Sequence, residues 1–251
     1  DHRDLHSFPT RRSSDLENIG IICMGTGLAV YAASCGGTLV CLLALSGALL
    51  HLFNHAFFKG LLFMAAGAAG KSCGSRDPDA LGGCAKALPV TSSAFFLGAA
   101  AASGVPLLNG FPGKFLIYLA AFCGLQLKGS GLLLPSTAVI AGLSLSGCLS
   151  LACFTGLSGI VFLGKPRSRL DRPEEYSSLM GTAMISAAAA CLFLTFAAPL
   201  LSFSLCGAVS AVFASTDTAS APGLADRLAP LSCASAWAFA LIAAALAAKR
   251  L

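Results

Sequence analysis

Three ionisable side chains stand at four-residue intervals in one long apolar run. The segment HLFNHAFFKG places His51, His55 and Lys59 at positions i, i+4 and i+8, with Asn54 beside them. On an α-helix each step of four residues rotates by about 400°, so the three side chains share an arc of about 80°. A polar stripe of this kind is costly to expose to lipid, so we expect it to face protein or water.

The residue types in this stripe favour proton transfer. Histidine exchanges protons near neutral pH, and a lysine in an apolar environment also exchanges its proton more readily than one in water. The stripe therefore predicts a proton relay. Two other interpretations stay open: the histidines form structural hydrogen bonds, or His51 and His55 bind a metal ion. The metal interpretation lacks a third ligand, because this helix carries no acidic residue.

A second unusual segment is GVPLLNGFPGKFLIY, in which Pro106, Gly110, Pro112 and Gly113 interrupt an apolar stretch and Lys114 follows at once. Proline lacks a backbone donor and glycine loosens a helix, so these residues predict a broken helix. Broken helices occur at membrane depth only where protein or water satisfies the freed backbone groups. Lys114 is therefore predicted to belong to an ion pathway. The alternative is an ordinary loop with Lys114 at the membrane surface.

The composition is that of a polytopic membrane protein. Of the 251 residues, 56% are hydrophobic and 11% are charged, and the mean hydropathy is +0.81. A soluble domain carries about 25% charged residues, so a soluble enzyme is excluded. The basic residues behind the net charge of +5 cluster in short loops rather than along one face, which fits membrane orientation and not nucleic-acid binding. Eleven cysteines occur without any C-x-x-C pair, so we expect no metal or cofactor site here.

Apolar runs predict an all-α bundle of about seven transmembrane spans. The runs cover residues 18–33, 38–70, 90–107, 111–127, 135–163, 178–206 and 228–248. At about 1.5 Å per residue the second run is too long for one upright span, so a tilt, bend or break is expected. Charged or polar loops are predicted at 71–89, 165–176 and 215–227.

Residues 1–16 differ from the rest of the chain. The segment DHRDLHSFPTRRSSDL is strongly polar and resembles the translation of a sequencing-library adapter. It also lacks the apolar region and cleavage site of a signal peptide. We expect a non-native leader at 1–16 and a transmembrane domain at 17–251 that is truncated at its N-terminal side. Candidate functional residues are therefore expected from Glu17 onward.

Four motifs, in order and spacing, resemble a known family. They are ENIGII, HLFNHAFFKGLLFMAAG, DPDALGG and SGVPLLNGFPGKFLIY. Together they resemble the second half of the antiporter-like proton-translocating subunits found in respiratory complex I, Mrp antiporters and membrane-bound hydrogenases. The ENIG start and the NHAFFKG variant most resemble the branch found in hydrogenase-4 and formate hydrogenlyase complexes.

The resemblance implies a role for each polar residue. His51 and His55 would be relay residues, Lys59 a central proton carrier, and Lys114 the lysine of a broken helix that connects the axis to one face. Glu17 and Asn54 are further candidates. The family is built from inverted repeats, and this chain would hold the later repeat.

The resemblance also implies partners and a location. Partners would be other membrane subunits and a peripheral redox arm in the inner membrane of a prokaryote. Nickel–iron, iron–sulfur or quinone chemistry would belong to those partners. The chain would then be a non-redox subunit of an oxidoreductase complex that moves protons. Two alternatives are a sodium/proton antiporter subunit of the Mrp type and a structural membrane anchor.

Overall fold

The computed structural model describes residues 9–75, 77–78, 81–165 and 178–212, with side chains from residue 15 onward. Six α-helices form this part of the chain: α1 (Pro9–Ser34), α2 (Thr38–Ser72), α3 (Pro89–Ser103), α4 (Gly110–Gln126), α5 (Leu133–Leu157) and α6 (Ser178–Val212). A short 3-10 helix covers Cys84–Lys86, and a π-helical turn at Ser158–Leu163 extends α5. The predicted all-α class is confirmed.

Within the described ranges, four helices are long and apolar enough to cross a membrane. They are Asp15–Ser34, Thr38–Ser72, Leu133–Leu163 and Ser178–Val212. α3 and α4 have 15 and 17 residues, which gives lengths of about 22 and 26 Å. Both are shorter than a hydrocarbon core of about 30 Å, so they are not among these four, and the spans predicted at 90–107 and 111–127 stay predictions. The predicted span at 228–248 lies outside the described residues.

α2 is one continuous helix of 35 residues. At about 1.5 Å per residue it is about 52 Å long, far more than a hydrocarbon core needs. The helix contains no proline, which explains why its hydrogen-bonded ladder continues through the whole polar stripe. The sequence predicted a tilt, bend or break in the run at 38–70, and no break occurs in α2.

The chain divides into two compact units. The first comprises Asp1–Ile19, His55–Ser103 and Ser146–Cys191, and the second Gly20–Asn54, Gly104–Leu145 and Leu192–Leu251. In the first unit the ring of Phe162, in the π-helical turn, packs against the rings of Phe95 and Phe96 on α3. In the second unit Leu43 and Leu50 of α2 form a buried core with Leu116 and Ile117 of α4. α2 contributes residues to both units.

Two buried thiols join the end of α2 to the 3-10 helix. Cys73 follows the last helical residue, and its Sγ lies 3.4 Å from Sγ of Cys84. Both residues are buried. Burial, together with the hydrogen bond to Cys84, raises the pKa of the Cys73 thiol to about 12. The thiolate is therefore scarce at neutral pH, and Cys73 should be a poor nucleophile.

This raised pKa predicts slow alkylation of Cys73. Because the protonated thiol persists until the pH approaches about 12, the rate with iodoacetamide should keep rising by about tenfold per pH unit from pH 8 upward. Cys35, in the turn after α1, is partly exposed and serves as the control. Mass spectrometry of the folded protein at pH 8 should find Cys35 modified first. Equal modification of the two thiols would contradict the assignment.

Candidate functional site

The polar stripe of α2 faces protein over most of its length. His51 is 0% exposed and Lys59 is 4% exposed, while His55 is half-buried. Leu52 and Phe53, which point elsewhere on the helix, are about half exposed. The stripe therefore faces inward, whereas Leu52 and Phe53 face outward, as expected for a membrane helix with one polar face.

In the first unit Lys59 forms an ion pair with α1. Its Nζ lies 2.9 Å from Oδ1 of Asp15, and it also lies over the ring of Phe63 at 5.0 Å from the centroid. One turn earlier, the ring of His55 packs edge-on against Phe58. An ammonium group is costly to bury without compensation, and here the carboxylate and the aromatic face together stabilise it.

Sequence reasoning did not find the partner of Lys59. Asp15 lies within residues 1–16, the segment predicted to be a non-native leader. The pair shows that a carboxylate at this level of α1 reaches Lys59. Glu17, the first acidic residue after that segment, is half-buried on the same helix and interacts electrostatically with Cys153 of α5.

The predicted interruption of the apolar stretch lies between α3 and α4. α3 ends at Ser103 and α4 begins at Gly110. Between them Gly104 and Leu107 both adopt positive φ angles, of 75° and 79°. A positive φ is unusual for leucine and marks a strained turn. The interruption is shorter than expected, because Pro112 and Gly113 already belong to the first turn of α4.

Lys114 folds back onto Gly104 within the second unit. The lysine is 6% exposed. A Cβ atom on Gly104 would lie 3.1 Å from its Cδ and 3.2 Å from its Nζ. Gly104 is thus required twice, for its positive φ and for the space that the lysine occupies. The burial of Lys114 disfavours the alternative in which this side chain lies in an ordinary surface loop.

α4 touches α2 backbone to backbone beside His51. A Cβ atom on Gly113 would lie 2.6 Å from Cβ and 2.7 Å from Cα of His51. A Cβ atom on Gly47, one turn earlier on α2, would lie 2.8 Å from Cβ of Leu116 and 3.0 Å from the carbonyl oxygen of Gly113. Small residues permit such close packing between membrane helices. This contact brings His51 next to the residue that precedes Lys114.

Two buried asparagines lie along the same contact. Asn54 and Asn109 are both 0% exposed, and Nδ2 of Asn109 donates a hydrogen bond of 3.5 Å to the backbone carbonyl oxygen of Asn54. Among the described residues, Oδ1 of Asn109 and both side-chain polar atoms of Asn54 have no hydrogen-bond partner. Each unsatisfied buried polar group costs about 1–3 kcal/mol. The sequence indicated Asn54 as a candidate but not Asn109. The feature that could have indicated Asn109 is its position as the one amide side chain in the segment LLNGFPG.

The predicted residues therefore fall into two described groups. His55 and Lys59 belong to the first unit with Asp15. His51, Asn54 and Lys114 belong to the second, where α2 and α4 are in contact. Each group contains a histidine and a buried lysine, and the second group also contains the buried amide of Asn54. No set of three His, Cys, Asp or Glu side chains that could hold a metal ion occurs in the part of the chain that the structure describes.

Comparison with known proteins gives consistent relatives. Residues 27–141 match the family model for the NADH:quinone oxidoreductase/Mrp antiporter transmembrane region. Two relatives come from Escherichia coli strain K12. Hydrogenase-4 component B is 35% identical over 75% of this chain and 28% of its own length. Formate hydrogenlyase subunit 3 is 38% identical over 74% of this chain and 31% of its own length.

Antiporter proteins match over a shorter region. One Na(+)/H(+) antiporter subunit of Bacillus subtilis strain 168 is 35% identical over 42% of this chain and 13% of its own length. The chain therefore spans about a third or less of the length of these relatives. The matched family region contains the polar stripe of α2 and the whole interruption before α4.

The contact at Gly113 predicts a large effect of one methyl group. Gly113→Ala places Cβ against the backbone of His51, so α4 must shift, and we expect about 1–3 kcal/mol of destabilisation. Gly27→Ala on α1 is the matched control, because no atom lies within 4 Å of the new methyl group. Thermal unfolding of the complete subunit in detergent should show a lower Tm for Gly113→Ala alone. Similar Tm values for both variants would rule out the close contact.

Proposed function

Because this chain belongs, through residues 27–141, to the NADH:quinone oxidoreductase/Mrp antiporter transmembrane family, we propose that it is the later part of a proton-translocating membrane subunit. It is a multi-pass membrane protein of the antiporter-like type. The proposed setting is a membrane-bound hydrogenase-type complex in the inner membrane of a prokaryote. The greater coverage by the hydrogenase-4 and formate hydrogenlyase relatives supports this setting over an antiporter complex.

One observation carries the proposal: two lysines are buried in helices that have almost no other charge. Lys59 is 4% exposed and Lys114 is 6% exposed. An ammonium group inside a membrane helix costs about 2.5–3.5 kcal/mol on insertion scales, so such residues are rare and mark ion pathways. His51 and His55 stand on the same face as Lys59 and supply imidazole groups, which can accept and donate a proton.

The proposed mechanism is stepwise proton transfer between coupled groups. Along α2, Lys59, His55 and His51 follow one another at intervals of about 6 Å, and His51 reaches the start of α4 through its contact with Gly113. Adding a proton to one of these groups changes the free energy of protonating the next. In this proposal redox chemistry occurs in partner subunits. That chemistry changes the charge near one end of the series formed by Lys59, His55 and His51.

A second candidate function is cation/proton antiport, which the similarity to the Bacillus subtilis Na(+)/H(+) antiporter protein favours. The same lysines and histidines would then exchange a proton for a metal cation, and no redox partner would be needed. A structural anchor is the third candidate. In that case the buried lysines would hold helices together through contacts such as the Lys59–Asp15 pair.

Replacement of either buried lysine should stop proton translocation. Lys59→Ala and Lys114→Ala, made in the complete subunit within its complex, remove the proposed carriers, and we expect at least a tenfold loss of translocation rate, or about 1.4 kcal/mol in barrier height. Lys128→Ala is the control, because Lys128 is exposed in the turn after α4. Inverted vesicles with a pH-sensitive dye measure the rate, and native gels measure assembly.

The outcomes separate the candidates. Normal translocation by both lysine variants would overturn the proposed pathway. Loss of assembly in both, with normal specific activity in whatever complex remains, would favour the structural anchor.

Ion dependence should distinguish the pump from the antiporter. If protons move through these groups in response to redox chemistry, translocation driven by the electron donor should continue in choline buffer free of sodium and potassium. An antiporter instead needs the cation as its exchange partner. Vesicles that acidify only after sodium or potassium is added, with no response to an electron donor, would show that the antiporter assignment is correct.

A further inference from the structure

We propose that the side-chain amides of Asn54 and Asn109 bind water inside the second unit, and that this water carries protons between the polar stripe of α2 and the start of α4. The inference deepens the proposed function and rests on it for the transport role. The water-binding site itself is a separate claim about buried amides, and it can be tested without any transport measurement.

The two buried asparagines are in contact through the backbone of Asn54, and both side-chain amides are incompletely satisfied. Both residues are fully shielded from solvent, and Nδ2 of Asn109 donates to the carbonyl oxygen of Asn54. Three further polar atoms have no partner among the described residues: Nδ2 and Oδ1 of Asn54 and Oδ1 of Asn109. Buried polar groups that protein does not satisfy are ordinarily satisfied by internal water, which makes about three hydrogen bonds.

The local sequence explains why Asn109 has an unused oxygen. Asn109 precedes α4 at the N-cap position, where an asparagine oxygen usually accepts a hydrogen bond from the second or third N–H of the helix. Here the third residue is Pro112, which has no N–H, and the N–H of Phe111 already bonds to the carbonyl oxygen of Leu108. The side chain of Asn109 therefore makes no capping bond and is left to bind something else.

The chemistry of the three atoms favours water over a metal cation. The set contains an N–H donor as well as two oxygen acceptors, and water both donates and accepts. A cation such as sodium is bound by oxygen atoms alone and prefers anionic ligands. Neither α2 nor α4 contains an aspartate or a glutamate, and the second unit also contains the buried Lys114.

The position of the amides connects them to the proposed relay. Asn54 lies three residues after His51 on α2, so the two side chains are neighbours along the helix surface. Asn109 lies at the end of the interruption, and the first turn that follows it contains Gly113, which contacts His51. Water held here would adjoin both His51 and the segment that begins α4. A mobile proton carrier is needed between these two places.

Asn109→Leu is the principal test, made in the complete subunit within its complex. Leucine has a similar volume but offers no hydrogen bond, so water should be lost, and the initial rate of proton translocation should fall by at least about tenfold. Asn109→Ser keeps a hydroxyl group and space for water, and it should restore most of the rate. Ser136→Ala is the matched control: it removes another buried hydroxyl without a described partner, from α5 of the same unit, and the rate should not change.

A second measurement detects the water directly. Hydroxyl radicals produced by X-ray radiolysis of bound water oxidise the side chains next to it, and mass spectrometry locates them. We expect oxidation of His51 or of the residues beside Asn109 in the wild-type protein and in Asn109→Ser, and its loss in Asn109→Leu. If Asn109→Leu does not assemble, Asn54→Leu carries the same test from α2.

The outcomes distinguish this inference from the proposed function. If the lysine variants stop translocation but Asn109→Leu and Asn54→Leu translocate normally, the transport role of the amides is wrong and the proposed function stands. If no radical oxidation occurs near Asn109 in the wild-type protein, the water site is wrong. If oxidation occurs as expected but the lysine variants translocate normally, the water site stands and the proposed function fails.

Discussion

A charged or amide side chain inside an apolar helix bundle is stable only where protein or water supplies its hydrogen bonds, and this requirement governs the polar residues of α2 and α4. Lys59 meets it through a carboxylate on α1 and the ring of Phe63. Lys114 is buried in the second unit, where its side chain lies close to Gly104. Each buried lysine thus depends on a contact with another segment of the chain. Moving that segment away would leave the ammonium group without this contact.

Glycine makes these solutions possible in the second unit. Gly113 lets α4 approach the backbone of His51, and Gly47 lets α2 approach Leu116. Without hydrophobic driving force between helices in lipid, such close packing is a main source of association. The same residues therefore stabilise the pair of helices and place a histidine beside the interruption. The contact between Gly113 and His51 therefore serves both helix packing and the proposed proton transfer. A change that separates α2 from α4 should disturb both.

The residues between α3 and α4 explain by themselves why the helix is interrupted there. The interruption also affects a neighbouring buried side chain, that of Asn109. Pro106 cannot donate a backbone hydrogen bond and Gly104 readily adopts a positive φ, so the chain leaves the helix there. Pro112 lies in the first turn of α4, where a missing N–H is tolerated. That position also denies Asn109 its usual capping partner. Pro112 thus favours the start of α4 and at the same time leaves the side-chain oxygen of Asn109 without a capping hydrogen bond.

The sequence by itself determined the helical class, the polar stripe at His51, His55 and Lys59, and the interruption before Lys114. These features depend on composition, on the 3.6-residue period and on the backbone limits of proline and glycine, which are local. It did not reveal Asp15 as the partner of Lys59, the contact of Gly113 with His51, or the pairing of Asn109 with Asn54. It placed α4 within one residue at each end, and it extended the run that contains α3 to residue 107, four residues past the end of that helix. These three contacts join residues that are 44, 62 and 55 positions apart, and no period along the chain specifies them. Only the tertiary structure decided them, since the packing of α1 and α4 against α2 brings these groups within hydrogen-bonding or van der Waals distance.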